Sequence, residues 1–236
     1  MEDEISKHTK KIYSIAKDKH HTTGEKIKEV VIEVMIIVFA VTLSIWLHSW
    51  SEKRHEQEEV KAFLTGLKQD LTKDIKLLEK NKQSITQLDS NYHYIVNLVE
   101  SKKKDTIYNR IIGHKLYFNI PQTHPNIGRY DGFKSSGKIG NIENDSLKQN
   151  ILVFYQQTIP DVGYGESYVN SLQLKILDWE IDRNEKLPIL DFVSTSKMQS
   201  YLSLGMHNFD VNIGHYNDAL ALAKKIIEQI NEEVKK

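Results

Sequence analysis

The run from Val30 to Trp50 constrains the fold of this chain more than any other feature of its sequence. It carries one formal charge, at Glu33, and its centre, Val34–Leu47, carries none. Its 21 residues, at the helical rise of about 1.5 Å, extend roughly 30 Å, the thickness of a bilayer's hydrocarbon core. The run therefore predicts a transmembrane helix at residues 29–50. A buried helix of a globular protein is the alternative.

Four polar or aromatic residues of this run suggest how it meets its surroundings. Trp46 and Trp50 lie at its C-terminal end. Indole rings favour the headgroup boundary, so both are predicted to be interface anchors. Thr42 and Ser44 offer hydroxyl groups for weak hydrogen bonds to another membrane helix.

Glu33 is the residue of the run with the most direct functional interest. An ionisable group inside a membrane span is costly, and it marks a candidate contact with an ion or with another subunit. Glu33 lies about one turn inside the N-terminal end, with Glu29 one turn below it. Snorkelling to the headgroups, or an ion pair with Lys26, would also explain it.

Cations flanking the run predict its orientation. Seven lysines precede it, and four Lys or Arg residues lie in the twenty residues after it. Because an excess of cations marks the cytoplasmic side, residues 1–28 are predicted to be a cytoplasmic tail. Residues 51–104 and 105–236 are then placed outside the cytoplasm, in a periplasm. The absence of cysteine is compatible with an oxidising compartment.

A charged helical pattern follows the run. Residues 52–104 contain no proline and only one glycine, Gly66. Apolar residues recur there at steps of three and four, which predicts a helical stalk over 51–104 that continues the membrane helix. We call these residues the apolar stripe: Leu64, Leu67, Leu71, Ile75, Leu78, Ile85 and Leu88. The stripe must be buried, either in a bundle formed by its own chain or in a coiled coil between subunits.

Residues 105–236 are predicted to be a helical domain. A region rich in glycine and proline comes first, and a helix then begins at Asn144 or Asp145 and ends before Pro160. A second helix is expected over about 162–186, and a last one after Ser203–Gly205. No run of alternating strand pattern is present, so the predicted fold is all-α.

Composition and motifs exclude several classes of function. A chain without cysteine has no disulfide scaffold, zinc ribbon, iron–sulfur cluster or thiol nucleophile. Its 32 basic and 32 acidic residues argue against a nucleic-acid binder. The segment Gly132–Lys138 fits the first part of a phosphate-binding loop, but Ile139 replaces the required Ser or Thr, so a structural turn is predicted at Ser135–Gly140 instead. No cofactor, metal site or catalytic set is expected.

Three segments carry a resemblance to a known family. They are EVMIIVFAVTLSIWLHSWSE from Glu33, LKQDLTKD from Leu67, and the block from Tyr130 to Tyr155 that contains Ser-Ser-Gly-Lys. Together they resemble the uncharacterised DUF6090-type family of Bacteroidetes single-span membrane proteins. The resemblance implies placement in a bacterial inner membrane and no particular chemistry.

The function predicted from these features is structural. The chain is expected to be a membrane-anchored scaffolding protein and not an enzyme. It would form a homo-oligomer, or bind other cell-envelope proteins, through helix packing along residues 64–99. The alternative is a subunit of an ion-coupled or pore-forming complex in which Glu33 faces the interior of the complex.

Overall fold

The structure, a computed structural model, describes residues 6–7, 10–11, 13, 23–101, 112, 115–116, 121–183 and 188–235. Its α-helices are α1 (Thr23–Glu100), α2 (Gly128–Ser135), α3 (Asp145–Val153), α4 (Ile159–Ile181), α5 (Ile189–Val193) and α6 (Ser196–Glu233). A 3-10 helix spans Lys138–Asn141 and a π-helix spans Phe154–Thr158. Within the described ranges there is no strand, so the predicted all-α fold is confirmed.

The chain divides into two compact units, Met1–Glu59 and Val60–Lys236. In the first unit, the side chains of the apolar run of α1 are largely exposed, with Phe39 68% and Met35 66% exposed. Among the described residues, one helix is long and apolar enough to cross a membrane, and it contains this run. A contiguous apolar surface of this kind is normally covered by lipid or by another protein.

The core of the second unit lies between three helices: α1 from Val60 onward, α4 and α6. The ring of Tyr92 on α1 meets Phe209 on α6 edge to face at 5.0 Å, and its hydroxyl accepts a hydrogen bond from Gln173 on α4. Along α4, Trp179 packs edge to face on Tyr201 of α6 at 4.3 Å. The core therefore draws on parts of the chain that are far apart in sequence.

Helices α4 and α6 pack antiparallel. Gly165 lies beside Asn212, and Leu172, seven residues later on α4, lies beside Gly205, seven residues earlier on α6. The close approach at both glycines depends on the missing Cβ. One built at Gly205 would stand 2.8 Å from Tyr92 Cε2, closer than packed atoms approach.

Pro160 does not end a helix, which corrects the expected boundary. The chain stays helical from Asp145 to Ile181, with the π-helix Phe154–Thr158 immediately before Ile159. Proline lacks the N–H of an α-helical bond, and its ring crowds the carbonyl four residues earlier. The wider π turn supplies the room at that point. The expected end near residue 186 is also wrong, because α4 ends at Ile181.

The last helix begins earlier than the sequence pattern suggests. It starts at Ser196, where the Thr195 hydroxyl accepts from the Met198 N–H at 3.4 Å. Gly205 is therefore in the helix interior and marks close packing, not a helix start. The cap expected at Asn144 is confirmed, because its Oδ1 accepts from the Leu147 N–H at 3.0 Å.

The turn predicted at Ser135–Gly140 is present: residues 136–137 form a turn between α2 and the 3-10 helix. Gly132 belongs to α2, and Gly137 follows with φ of 76°, a conformation that favours glycine. The 3-10 helix that starts at Lys138 leads to the Asn144 cap.

Candidate functional site

Two aspartates one turn apart on α1 hold the segment that precedes α2. Asp74 is 1% exposed. Its Oδ1 accepts from the Asn126 side-chain amide at 2.6 Å and its backbone N–H at 3.1 Å, and the same N–H lies 3.2 Å from Oδ2. Asp70 accepts from Arg129 Nε at 2.8 Å. The two carboxylates thereby fix the entry to α2.

Aromatic rings close this site from the other side. Tyr130 stacks on Tyr155 with centroids 4.3 Å apart, and Gln156 donates to the Tyr130 hydroxyl at 2.7 Å. Phe63 and Phe133 stack at 3.9 Å. Stacked pairs of this kind add to the stabilisation that burial of their area provides.

The electrostatics of the site follow from its burial. Burial raises the pKa of Asp74 above its usual value, while the two donors of Asn126 oppose the shift. Burial also raises the pKa of Tyr155, and the nearby charges of Asp74 and Asp70 act in the same direction. The Tyr155 hydroxyl has no hydrogen-bond partner within the described part of the chain. Tyr155 therefore stays a neutral phenol beside two acidic groups.

A second buried carboxylate, Glu166 on α4, holds the same segment from another direction. It accepts from the Thr123 N–H at 2.7 Å, from the Thr123 hydroxyl at 2.5 Å and from the Tyr216 hydroxyl. The Thr123 oxygen in turn accepts from the Asn81 amide at 3.0 Å. Burial raises the pKa of Tyr216, and its hydrogen bond to Glu166 does so as well.

We call residues 121–127 the strap. It has no helical or strand structure, so its backbone N–H groups lack the partners that a helix would provide. Asp74 on α1 and Glu166 on α4 supply those partners for Asn126 and Thr123. Both oxygens of each carboxylate accept hydrogen bonds from the strap, so both groups act here as structural hydrogen-bond acceptors.

The structure places the predicted membrane residues as follows. Trp46 and Trp50 are exposed on α1, and Ser44 is half-buried. The Thr42 hydroxyl donates to the Val38 carbonyl of its own helix. Its hydrogen-bonding capacity is therefore used in part within α1.

Glu33 is buried within an otherwise exposed stretch of α1. Its Oε2 lies 3.2 Å from Nζ of Lys11, so the partner comes from the N-terminal tail. The expected partner, Lys26, has a side chain outside the described residues.

The apolar stripe is covered by the chain's own helices. Six of its seven residues are buried, each 1% exposed or less, and Ile75 packs against the same core. Of the two arrangements left open by the sequence, the intrachain bundle is the one present.

Several polar core residues were not identified from the sequence. Glu166 and Gln173 on α4 share the buried face of Val162 and Val169, and Asn212 lies on the buried face of α6. The sequence pattern that could have identified them is a polar residue at a position where the helical period requires an apolar one. No group of three or more potential metal-ligating side chains occurs in the described ranges.

Comparison with known proteins identifies the family. Residues 30–176 match the family of unknown function DUF6090. The chain belongs to this family. The matched region includes the apolar run, both strap-holding carboxylates and most of α4. No curated protein and no solved structure matches the chain.

Within this DUF6090 chain, the motif Leu67–Asp74 has a structural explanation. Its two aspartates, Asp70 and Asp74, bind Arg129 and Asn126, which lie just before the block that begins at Tyr130.

Proposed function

We propose that this protein is a single-span protein of a bacterial inner membrane, with residues 1–28 in the cytoplasm and the bundle in the periplasm. Its work is structural: it forms a homo-oligomer or binds other envelope proteins, and it does not catalyse a reaction. The observation that carries the proposal is the contrast within α1. Its apolar residues are outward at 30–50 and inward from Val60 onward.

This contrast supports an anchor joined to a self-sufficient bundle. The outward apolar surface of 30–50 is stable only in an apolar environment. The bundle needs no partner to cover its stripe, because α4 and α6 already pack on it. A rigid bundle held at a membrane suits a protein that positions others.

The hydrogen bonds made by two buried carboxylates also favour a structural role. Asp74 and Glu166 accept hydrogen bonds from the strap, and these bonds would have to break before either group bound a substrate. A hydrogen bond to a charged group contributes about 1.5–3 kcal/mol to stability. We therefore assign both groups to stability.

The contact between copies is proposed to lie in the apolar run. Because the stripe is covered, helix packing between subunits would use the exposed apolar surface of 30–50, which includes Thr42. Exposed apolar residues on α4, such as Leu174 and Ile181, offer a surface for other envelope proteins.

Mass measurement in mild detergent tests the assembly. The full chain should give a mass above that of one copy, and Leu71→Ala, inside the bundle, should reduce stability without changing the copy number. A monomer at every concentration would reject the homo-oligomer.

The ion-coupled alternative depends on Glu33. Its ion pair with Lys11 gives the carboxylate a partner in its own chain, which favours a structural use. Glu33→Gln should leave the copy number and the cellular phenotype unchanged. A changed cellular phenotype in this variant, with the copy number unchanged, would favour the ion-coupled function instead.

A further inference from the structure

We propose that the N-terminal segment around Lys7–Lys11 binds the headgroups of anionic phospholipids. This inference rests on the proposed function, in which residues 1–28 lie on the cytoplasmic side of a membrane crossed by α1. It goes further in naming a lipid class and the residues that recognise it.

The ion pair between Lys11 and Glu33 fixes the depth of this segment. Nζ of Lys11 lies 3.2 Å from Oε2 of Glu33. Glu33 is three residues after Val30, so it lies about 4.5 Å along the helix from the start of the apolar run. A segment tied to that turn lies at the level of the headgroups. The Lys11 side chain is 63% exposed despite the contact.

The cations of the segment have the spacing of one helical face. Lys7, Lys10 and Lys11 are helical and exposed. Their spacing of three and four residues places them on one face of a helix. From residue 7 to residue 19 the sequence contains five lysines and one acidic residue, Asp18. Such clusters beside a membrane helix attract anionic lipids.

An exposed aromatic residue supports a lipid over other anionic partners. Tyr13 is exposed within the same segment, and tyrosine side chains favour the headgroup region. A nucleic acid or an acidic protein would have to enter the headgroup layer to reach lysines held beside Glu33. An anionic phospholipid is already present at that depth.

Lipid selection by the full chain tests the proposal. The protein is reconstituted into bilayers of equal parts phosphatidylglycerol and phosphatidylcholine, and the lipids retained on gentle extraction are quantified. We expect wild-type protein to retain an excess of phosphatidylglycerol, which weakens as ionic strength rises. The variant Lys7→Gln/Lys10→Gln should lose most of this excess, up to about fivefold per lysine.

A matched control separates local from general charge effects. Lys76→Gln/Lys80→Gln removes two exposed lysines of the bundle and should keep the wild-type preference. An equal loss in both variants, or no preference in wild-type protein, would overturn the lipid site. Failure of the chain to insert, measured by extraction at alkaline pH, would instead overturn the membrane span together with the site.

Discussion

Two pairs of glycines allow the packing of the bundle to be tested within single helices. On α6, a Cβ at Gly205 would stand 2.8 Å from Tyr92 Cε2 and 3.1 Å from Leu172 Cδ2, while Gly214 has nothing within 4 Å. An alanine at Gly214 should stabilise the helix by about 1 kcal/mol. At Gly205 the same gain is opposed by overpacking of about 1–3 kcal/mol. The two variants should therefore differ by about 1–3 kcal/mol.

Thermal unfolding of the full chain in mild detergent, followed by circular dichroism, measures this difference. In a domain of this size, 1 kcal/mol shifts Tm by about 2–4 °C, so the variants should separate by roughly 2–12 °C. Helix α4 repeats the test, because a Cβ at Gly165 would stand 2.6 Å from Asn212 Oδ1 while Gly163 is open. Equal Tm values for Gly205→Ala and Gly214→Ala would refute the packing of α6 on Tyr92.

Three further predictions concern the strap and the anchor. Asp74→Ala removes the hydrogen bonds that Asn126 donates to a buried carboxylate and should cost about 1.5–3 kcal/mol, whereas Asp70→Ala removes a more exposed ion pair and should cost less than about 1 kcal/mol; chemical denaturation compares them. Burial raises the pKa of Asp74 above 3.8, so the folded chain binds this proton more tightly than the unfolded chain does. The Tm of wild type relative to that of Asp74→Asn should therefore rise as the pH falls toward 3.8. A constant difference would contradict that assignment. Ile36→Arg/Phe39→Arg should abolish membrane association in a fractionation assay, since each arginine costs about 2.5–3.5 kcal/mol at the centre of a span.

Local patterns were sufficient for the all-α class and for several helical features. The apolar run, the stripe and the Asn144 cap each involve residues within a few turns of one another, where helical periodicity applies directly. The stripe's burial also followed from the pattern, because an apolar face of that length must be covered. The pattern did not specify whether the cover came from the same chain.

Long-range contacts were beyond these patterns. The Thr123–Glu166 and Asn126–Asp74 contacts join residues 43 and 52 positions apart. A sequence shows that a strap with proline lacks helical hydrogen bonds, but not which carboxylates will satisfy it. Gly205 is a similar case, since its role depends on Tyr92, which lies on a different helix.

The Pro160 boundary shows how tertiary packing overrides a local rule. Proline normally ends a helix at the preceding residue, yet α3 and α4 continue through a π turn. Phe154 and Tyr155 in that turn are buried in the core. Their burial supports a turn that is unfavourable in isolation.

The central claim is that α1 crosses a membrane and leaves the two ends of the chain on opposite sides. Because the protein has no cysteine, single variants Lys7→Cys and Lys235→Cys provide unique labelling sites, and both positions are exposed. A membrane-impermeant maleimide applied to cells with a permeabilised outer membrane should label residue 235 at once and residue 7 only after lysis. Protection of both residues before lysis, or labelling of residue 7 alone, would contradict the account.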